Sequence, residues 1–559
     1  MDQLIAFVPA LPIVSAVLTQ LFSAQLKRRV AWLSVTATAL TFVLTVVVFG
    51  MELFGYGSHQ FGDLRGWGIL LSDPLSAIMS VLIAGISLVV HVYSIRYMAE
   101  ESGYGRFFVL LDLMTATLLV LVAAGDLITL MVAWHAIGVL LYFLLGHDTR
   151  RQSTFRYAFW TFITYRLGDV ALILAAAVLF HAYGTWSLTE IFARIQSHPH
   201  VISFMGIPAT EAAAIFLALA AFARSAQFFL HIWLPYTMDG PTPVSALMHA
   251  GIVNAGGFLV NRFAPVFVQA GDVLHWLFIV GLVTAITGSV LMLTQNDIKK
   301  SLGYSTMGQM GFMIMECGVG AFSLAVFHLI AHGLFKGTLF LSAGGVIGQA
   351  RQDDGIPKDD LYTFVVEKRP ARRRPPWLLM AAITLAVPIL VLGLTHWLVS
   401  REIFQQQGAI ILLFFGWVTG AQLIFATYRI RTQRIARLFF LVLSSFTVVV
   451  IGYTLISHAF NLFLYPDEAF RALIYKASNI NVVWFDVLIA LTALVIVVGW
   501  LGTYYGERNG RKRGRQSGRA WISLYALISR EFYLADIYAW LSRVILRSAE
   551  RLNVWFRWV

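Results

Sequence analysis

Long apolar runs separated by short polar stretches organise this chain from end to end. A lipid core takes about 20 apolar residues to cross. Runs of that kind fall near 4–22, 30–50, 74–95, 107–124, 127–146, 157–181, 211–234, 245–268, 273–295, 301–317, 320–349, 376–398, 408–428, 435–458 and 482–504. The pattern predicts an all-α polytopic membrane protein with roughly fifteen transmembrane helices.

The polar stretches test that list. Basic clusters stand at Lys27 to Arg29, Arg150 to Arg156, Lys299 and Lys300, Lys368 to Arg374, Arg429 to Arg437 and Arg508 to Arg519. All fall on one side if the N-terminus is outside and the C-terminus cytoplasmic, as the positive-inside rule requires. Two spans read as interrupted. Pro235, Gly240, Pro241 and Pro243 stand where one helix cannot continue, and Pro388 breaks another. The plainer reading of each is a proline kink between packed helices. Paired interruptions in two halves of a chain instead point to a transporter built from inverted repeats. After residue 505 comes a basic linker and then 521–559, where Ile537, Trp540, Leu541, Val544 and Ile545 recur at helical spacing with Arg543, Arg547 and Arg551 on another face. That amphipathic tail is expected on the cytoplasmic membrane surface or against a partner.

Composition narrows the class. Of 559 residues, 58% are hydrophobic and 13% charged, about half the charged fraction of a soluble domain. The first residues carry no basic region ahead of the apolar run, so the first span is expected to remain in place. The net charge of +12 is accounted for by clusters beside spans, and no nucleic-acid partner is implied. With one cysteine, Cys317, the chain has no intrachain disulfide and no thiolate cluster for zinc or iron–sulfur.

Candidate chemistry lies inside the spans, where a charged group costs several kcal/mol and is a functional hypothesis by default. His328, His332 and Lys336 are spaced four and four, which puts them on one helix face, climbing about 12 Å. Histidine, and lysine when desolvated, can gain and lose a proton near neutral pH, whereas arginine cannot. The competing reading is a set of packed core side chains, or a lysine reaching for an interface. A zinc site fits poorly, because HLIAH lacks the zincin glutamate. Further buried candidates are Asp126, His135, Arg166, Asp169, Arg224, His231, His249, Lys299, His396, Arg401 and Glu402. Of these, Arg166 with Asp169, and Asp297 with Lys299, could simply satisfy each other or mark a helix end.

The stretches SDPLSAIMSVLIAGISLVVHVYSIRYMAEESGYGRFF, YRLGDV, MDGPTPVSALMHA, DIKKSLGYSTMGQMGFM and FHLIAHGLFKGTLFLSAGGVI resemble the large antiporter-like membrane subunit of respiratory complex I and its Mrp relatives. The similarity is strong over 70–350 and looser over 376–500. It implies two inverted five-helix repeats, each with a broken helix, around a hydrated axis. The boundaries expected are N-terminal helices at 1–106, a first repeat at 107–268, a second at 269–428, C-terminal helices at 429–505, and the linker and tail at 506–559. Carried over by motif, His249, Lys299, His328, His332 and Lys336 fall on axis positions, Asp169 belongs to the first repeat, and Arg401 with Glu402 matches a lysine–acid pair near the far exit.

Three departures stand out. His135 occupies the position of the family's key glutamate, and Arg224 that of its lysine. If close, Arg224 would disfavour a proton on His135. The sequence also ends after the tail, without the lateral helix and final span of complex I subunits. That truncated form resembles the membrane subunit of the DAB-type inorganic-carbon pump. The resemblance implies a bacterial inner-membrane, proton-conducting subunit with no catalytic site or cofactor of its own. Its cytoplasmic zinc partner, DabA, would resemble a β-carbonic anhydrase, and the remaining contact would be membrane lipid. The alternatives are a proton-pumping subunit of a complex I or membrane-hydrogenase type assembly and an Mrp-type sodium/proton antiporter subunit.

Overall fold

The computed structural model describes residues 2–62, 68–148, 152–237, 240–295, 297–350, 455–479 and 526–556, with single positions 452 and 523. Pro388, Arg401, Glu402 and the predicted spans at 376–398, 408–428 and 482–504 lie outside them, as does most of 435–458.

The described chain is a set of packed helices. These are α1 Asp2–Leu26, α2 Val30–Leu53, α3 Pro74–Tyr97, α4 Tyr104–Val122, α5 Leu127–Leu145, α6 Gln152–Tyr183, α7 Leu188–Ser197, α8 Ala209–Arg224 and α9 Trp233–Tyr236. Then follow α10 Thr242–Leu247, α11 Ala255–Arg262, α12 Ala264–Phe267, α13 Gly271–Thr294, α14 Ile298–Gly318 and α15 Phe322–Ala350. A short hairpin pairs β1 His59–Phe61 with β2 Leu70–Ser72. Among the described residues eight helical stretches are long and apolar enough to cross a membrane, the first being α1 and α2 joined through the tight turn at 27–29. Later come α16 Leu455–Leu464, α17 Glu468–Ala477 and the tail helix α18 Leu534–Trp555. The helices α1 to α14, α15 up to Val346, and α18 belong to one compact unit, and α16 and α17 to a second.

Local chemistry fixes several helix starts. Asp73 accepts from the Ser76 backbone N–H while the Ser76 side chain accepts from the Asp73 N–H, with Pro74 in the first turn of α3. This reciprocal cap satisfies two of the backbone donors that every helix start leaves free. Asp126 caps α5 by accepting from the Thr129 N–H at 2.8 Å and the Thr129 hydroxyl at 2.6 Å, and it also accepts from Ile69 N–H at 2.8 Å. Its burial is thus explained by these structural contacts.

The span predicted at 211–234 is not one helix. The sequence puts its interruption at Pro235 to Pro243, but α8 already stops at Arg224 and residues 225–232 leave helical geometry, with Ala226 and Phe229 at φ of 49° and 72°. The prolines only end α9 and start α10. Left-handed backbone costs a residue with a side chain about 1–2 kcal/mol, and exposed amide groups inside a membrane need protein partners. Neighbouring helices supply them: Phe228 N–H donates to Thr284 Oγ1 at 3.0 Å, and Ser225 Oγ donates to the Val253 carbonyl at 2.7 Å. A second irregularity follows in 245–268, where Met248–Ile252 forms a single π turn carrying His249.

Close packing of the later helices rests on small residues, as membrane interfaces require. A Cβ added at Gly281 of α13 would lie 2.7 Å from the Gly311 carbonyl of α14, and one at Gly288 2.8 Å from the Gly308 Cα. The YSTMGQMG motif is therefore the α14 side of a glycine seam. Gly333 of α15 likewise sits on the π turn, where a Cβ would be 2.7 Å from the Ala250 carbonyl.

Helix ends sort into two groups. Residues from 97–101, 145–157, 235–241 and 297–300 converge around one cavity of about 370 Å³, and these are the ends carrying Arg156, Lys299 and Lys300. At the other ends, backbone pairing joins Leu70 to Ala124 and Asp126 to Ser187. The tail closes on the first group. Leu534 packs with Trp160 and Ile232, Tyr236 Oη donates to Glu531 at 3.0 Å, and Tyr538 Oη donates to the Phe229 carbonyl at 3.1 Å. Beyond these contacts α18 leaves Ile537, Trp540, Leu541 and Trp555 exposed, which fits the amphipathic reading.

Candidate functional site

The residues singled out in the sequence collect into two groups. The first lies where α5, α6 and α8 meet. His135 Nδ1 is 2.8 Å from Asp169 Oδ2, Arg166 Nη2 is 3.1 Å from the same oxygen, and Arg224 Nη2 is 3.7 Å from Asp169 Oδ1. Arg166 Nη1 also reaches His135 Nε2 at 2.9 Å. The same Arg166 nitrogen lies 2.6 Å from His135 Nδ1, so it faces both ring nitrogens. Two guanidiniums and the His135 ring thus gather on the one carboxylate of Asp169.

The direct His135–Arg224 pairing expected from the sequence is therefore modified. Asp169 stands between the two, and Arg166 is the guanidinium that touches the ring. Arg224 is buried; it donates to the Trp134 carbonyl at 2.6 Å and lies over the Trp134 and Tyr165 rings at 4.4 and 4.1 Å. A planar, delocalised guanidinium can stack on these rings while it hydrogen-bonds the carbonyl. As the last residue of α8 it stands at the edge of the break.

The second group is a row along α14 and α15. Lys299 is in the first turn of α14, which Asp297 caps by accepting from Lys300 N–H at 3.0 Å, and it lines the cavity rather than joining the ladder side by side. One turn further along α14, the Leu302 carbonyl accepts from Lys336 Nζ at 3.3 Å. His332 is one turn along α15 from Lys336, and its ring is 6.4 Å from that of His328. His249 reaches the same row from the π turn, fully buried and stacked on Phe340 at 4.3 Å. Among the described residues, both ring nitrogens of His249 and of His332 lack a hydrogen-bond partner. Leaving buried polar atoms unpaired costs about 1–3 kcal/mol each, so mere packing is a poor account of these two rings.

Sequence reading passed over the group that ends this row. Glu316, in the last turn of α14, has Oε2 at 3.0 Å and Oε1 at 3.2 Å from His328 Nδ1, while His328 Nε2 faces Gln309 Oε1 at 2.8 Å. The signal was available, since an acid in the apolar run MGFMIMECG is as costly as any histidine there. Also passed over was the contact of Arg262, at the end of α11, with Asp73 at the start of α3. Between the Asp169 group and the α14–α15 row, the Ser225 hydroxyl just after α8 donates to the Val253 carbonyl just after the π turn. Among the described residues, no three His, Cys, Asp or Glu side chains converge as metal ligands would.

Comparison with known proteins adds kinship to this geometry. A family model described as NADH:quinone oxidoreductase/Mrp antiporter, TM matches residues 124–421, and one described as NADH-Ubiquinone oxidoreductase (complex I), chain 5 N-terminus matches 66–108. The probable inorganic carbon transporter subunit DabB1 of Halothiobacillus neapolitanus is 57% identical over 558 residues, with 99% of both chains covered. NADH-quinone oxidoreductase subunit L of Rickettsia felis is 35% identical over 362 residues, which is 63% of this chain and 56% of that one. In fold, the chain is similar to one in the Mrp complex from Dietzia sp., with TM-score 0.60 and 23% identity over 98% of this chain and 63% of that one. A chain of an archaeal membrane-bound sulfane sulfur reductase gives TM-score 0.58 at 17% identity, with 84% and 100% covered.

Proposed function

This chain belongs to the NADH:quinone oxidoreductase/Mrp antiporter membrane family, and on that footing we propose that it is the proton-conducting subunit of an inorganic-carbon transporter. The observation that carries this reading is the row of titratable side chains on α14 and α15 in a chain 57% identical, end to end, to a probable inorganic carbon transporter subunit. In this reading Lys299, Lys336, His249, His332 and His328 relay protons. Asp169, with His135, Arg166 and Arg224, sets the charge at the break after α8, and Arg401 and Glu402 act at the far exit. The two halves are inverted repeats in a bacterial inner membrane, N-terminus out. The cavity by Lys299 then opens to the cytoplasm, which the gathering of basic helix ends around it supports.

Ion-motive force would be passed to a cytoplasmic zinc protein resembling a β-carbonic anhydrase, docked on the face that carries α18. The zinc belongs to that partner, and this chain contributes no cofactor and no catalytic site. Lys336→Ala and His332→Ala, made separately, are each expected to abolish bicarbonate accumulation in cells while the complex still assembles. Full accumulation by both variants would sink the relay. Purification tests the partner: a single zinc protein is expected with the chain, whereas iron–sulfur proteins would favour a redox-driven complex, the setting of the oxidoreductase relatives. Sodium-dependent growth rescue by the chain alone would favour a sodium/proton antiporter.

A further inference from the structure

Glu316 is the acid of the α14–α15 row, and none of the residues matched to the family's axis motifs includes it. We propose that Glu316 exchanges the translocated proton with His328 at the end of the row remote from the cavity, a role that rests on the relay reading above. Three observations support it. The carboxylate meets His328 Nδ1 with both oxygens, at 3.0 and 3.2 Å. Gln309 holds the other ring nitrogen at 2.8 Å, so the imidazole is aimed rather than free to turn. Exposure also rises along the row, from 1% at Lys336 and 4% at His332 to 7% at Glu316.

Glu316 differs from its neighbours in charge type. Lys336, His332, His249 and His328 are all bases that become cations on taking up a proton, whereas a carboxylate becomes neutral. Transfer from His328 Nδ1–H to Glu316 Oε2 turns imidazolium and carboxylate into neutral imidazole and carboxylic acid. The acid then releases its proton to water at that end, which restores the carboxylate, and His328 becomes imidazolium again when it takes the next proton from the row. The other titratable groups facing this pair are His332 and Lys336 on α15, His249 from the π turn, and the buried thiol of Cys317 beside Glu316, which Asn261 approaches at 3.8 Å.

The test uses the full chain purified with its native partner and reconstituted in proteoliposomes, with proton uptake followed by a pH-sensitive dye under an imposed potential. Glu316→Gln is expected to slow uptake by about a hundredfold, the low end of what a positioned acid–base group supplies. Glu316→Asp should keep a large part of the rate with a displaced pH profile. A Glu316→Gln rate within about twofold of wild type, beside an inactive His332→Ala, overturns the role of Glu316 and leaves the relay standing. Wild-type rates for Glu316→Gln, His332→Ala and Lys336→Ala together overturn both. If Glu316→Gln fails to assemble, Glu316→Asp decides: a displaced pH profile upholds the proposal and an unchanged one overturns it.

Discussion

Asp112 accepts from Ser15 Oγ at 2.8 Å, Ser34 Oγ at 2.7 Å and His91 Nε2 at 3.1 Å, so one carboxylate on α4 gathers side chains from α1, α2 and α3. His91 Nδ1 faces the Ser87 carbonyl at 2.7 Å, which fixes the ring with Nε2 toward Asp112. Both residues are fully buried. Removing one partner of such a pair costs about 3–5 kcal/mol, because the other charge is left uncompensated. Asp112→Asn should therefore lower the unfolding free energy of the detergent-solubilised protein by about 3 kcal/mol. The double variant with His91→Gln should lose clearly less than the sum, as a thermodynamic cycle would register. Neither residue drew notice in the sequence, since a histidine and an aspartate 21 positions apart declare no contact.

Elements are held by surfaces that only glycine permits. At Gly311 an added side chain would meet the Gly281 carbonyl at 2.7 Å, with backbone that cannot turn aside. Gly311→Leu should separate α13 from α14 at a cost of about 3 kcal/mol or more, read as a fall in Tm in detergent. Gly50 of α2 has nothing within 4 Å of an added Cβ. Gly50→Ala should leave Tm unchanged or raise it slightly, since alanine is the better helix former. The same seam positions the row of titratable groups, because α14 carries Glu316 and Gln309 and α15 carries the histidines.

Over the whole described unit, the tail and the broken helix form one mechanical element. Leu534, Glu531 and Tyr538 hold residues 228–236 directly after the break that begins beyond Arg224. Leu534→Ala removes part of a buried cluster worth about 2–3 kcal/mol. Hydrogen exchange should then quicken at 225–236 as well as in 531–545. Leu552→Ala, at a side chain 55% exposed, should change neither. Faster exchange confined to the tail would mean that the break is held without it.

The sequence by itself determined whatever depends on neighbours within a few turns. The spans of α3, α4, α5 and α13 follow from run length, the starts of α3 and α5 from Asp73 with Pro74 and from Asp126, and the face shared by His328, His332 and Lys336 from 3.6 residues per turn. The polar and apolar faces of α18 follow from the same periodicity. Only the tertiary structure decided where α8 breaks, since 225–232 contains neither glycine nor proline and the Phe228 amide is satisfied by the distant Thr284. It alone put Asp169 between His135 and Arg224, and Glu316 against His328. Each of those pairings crosses between helices, and a one-dimensional pattern carries the cost of a buried charge but not the identity of the partner that offsets it.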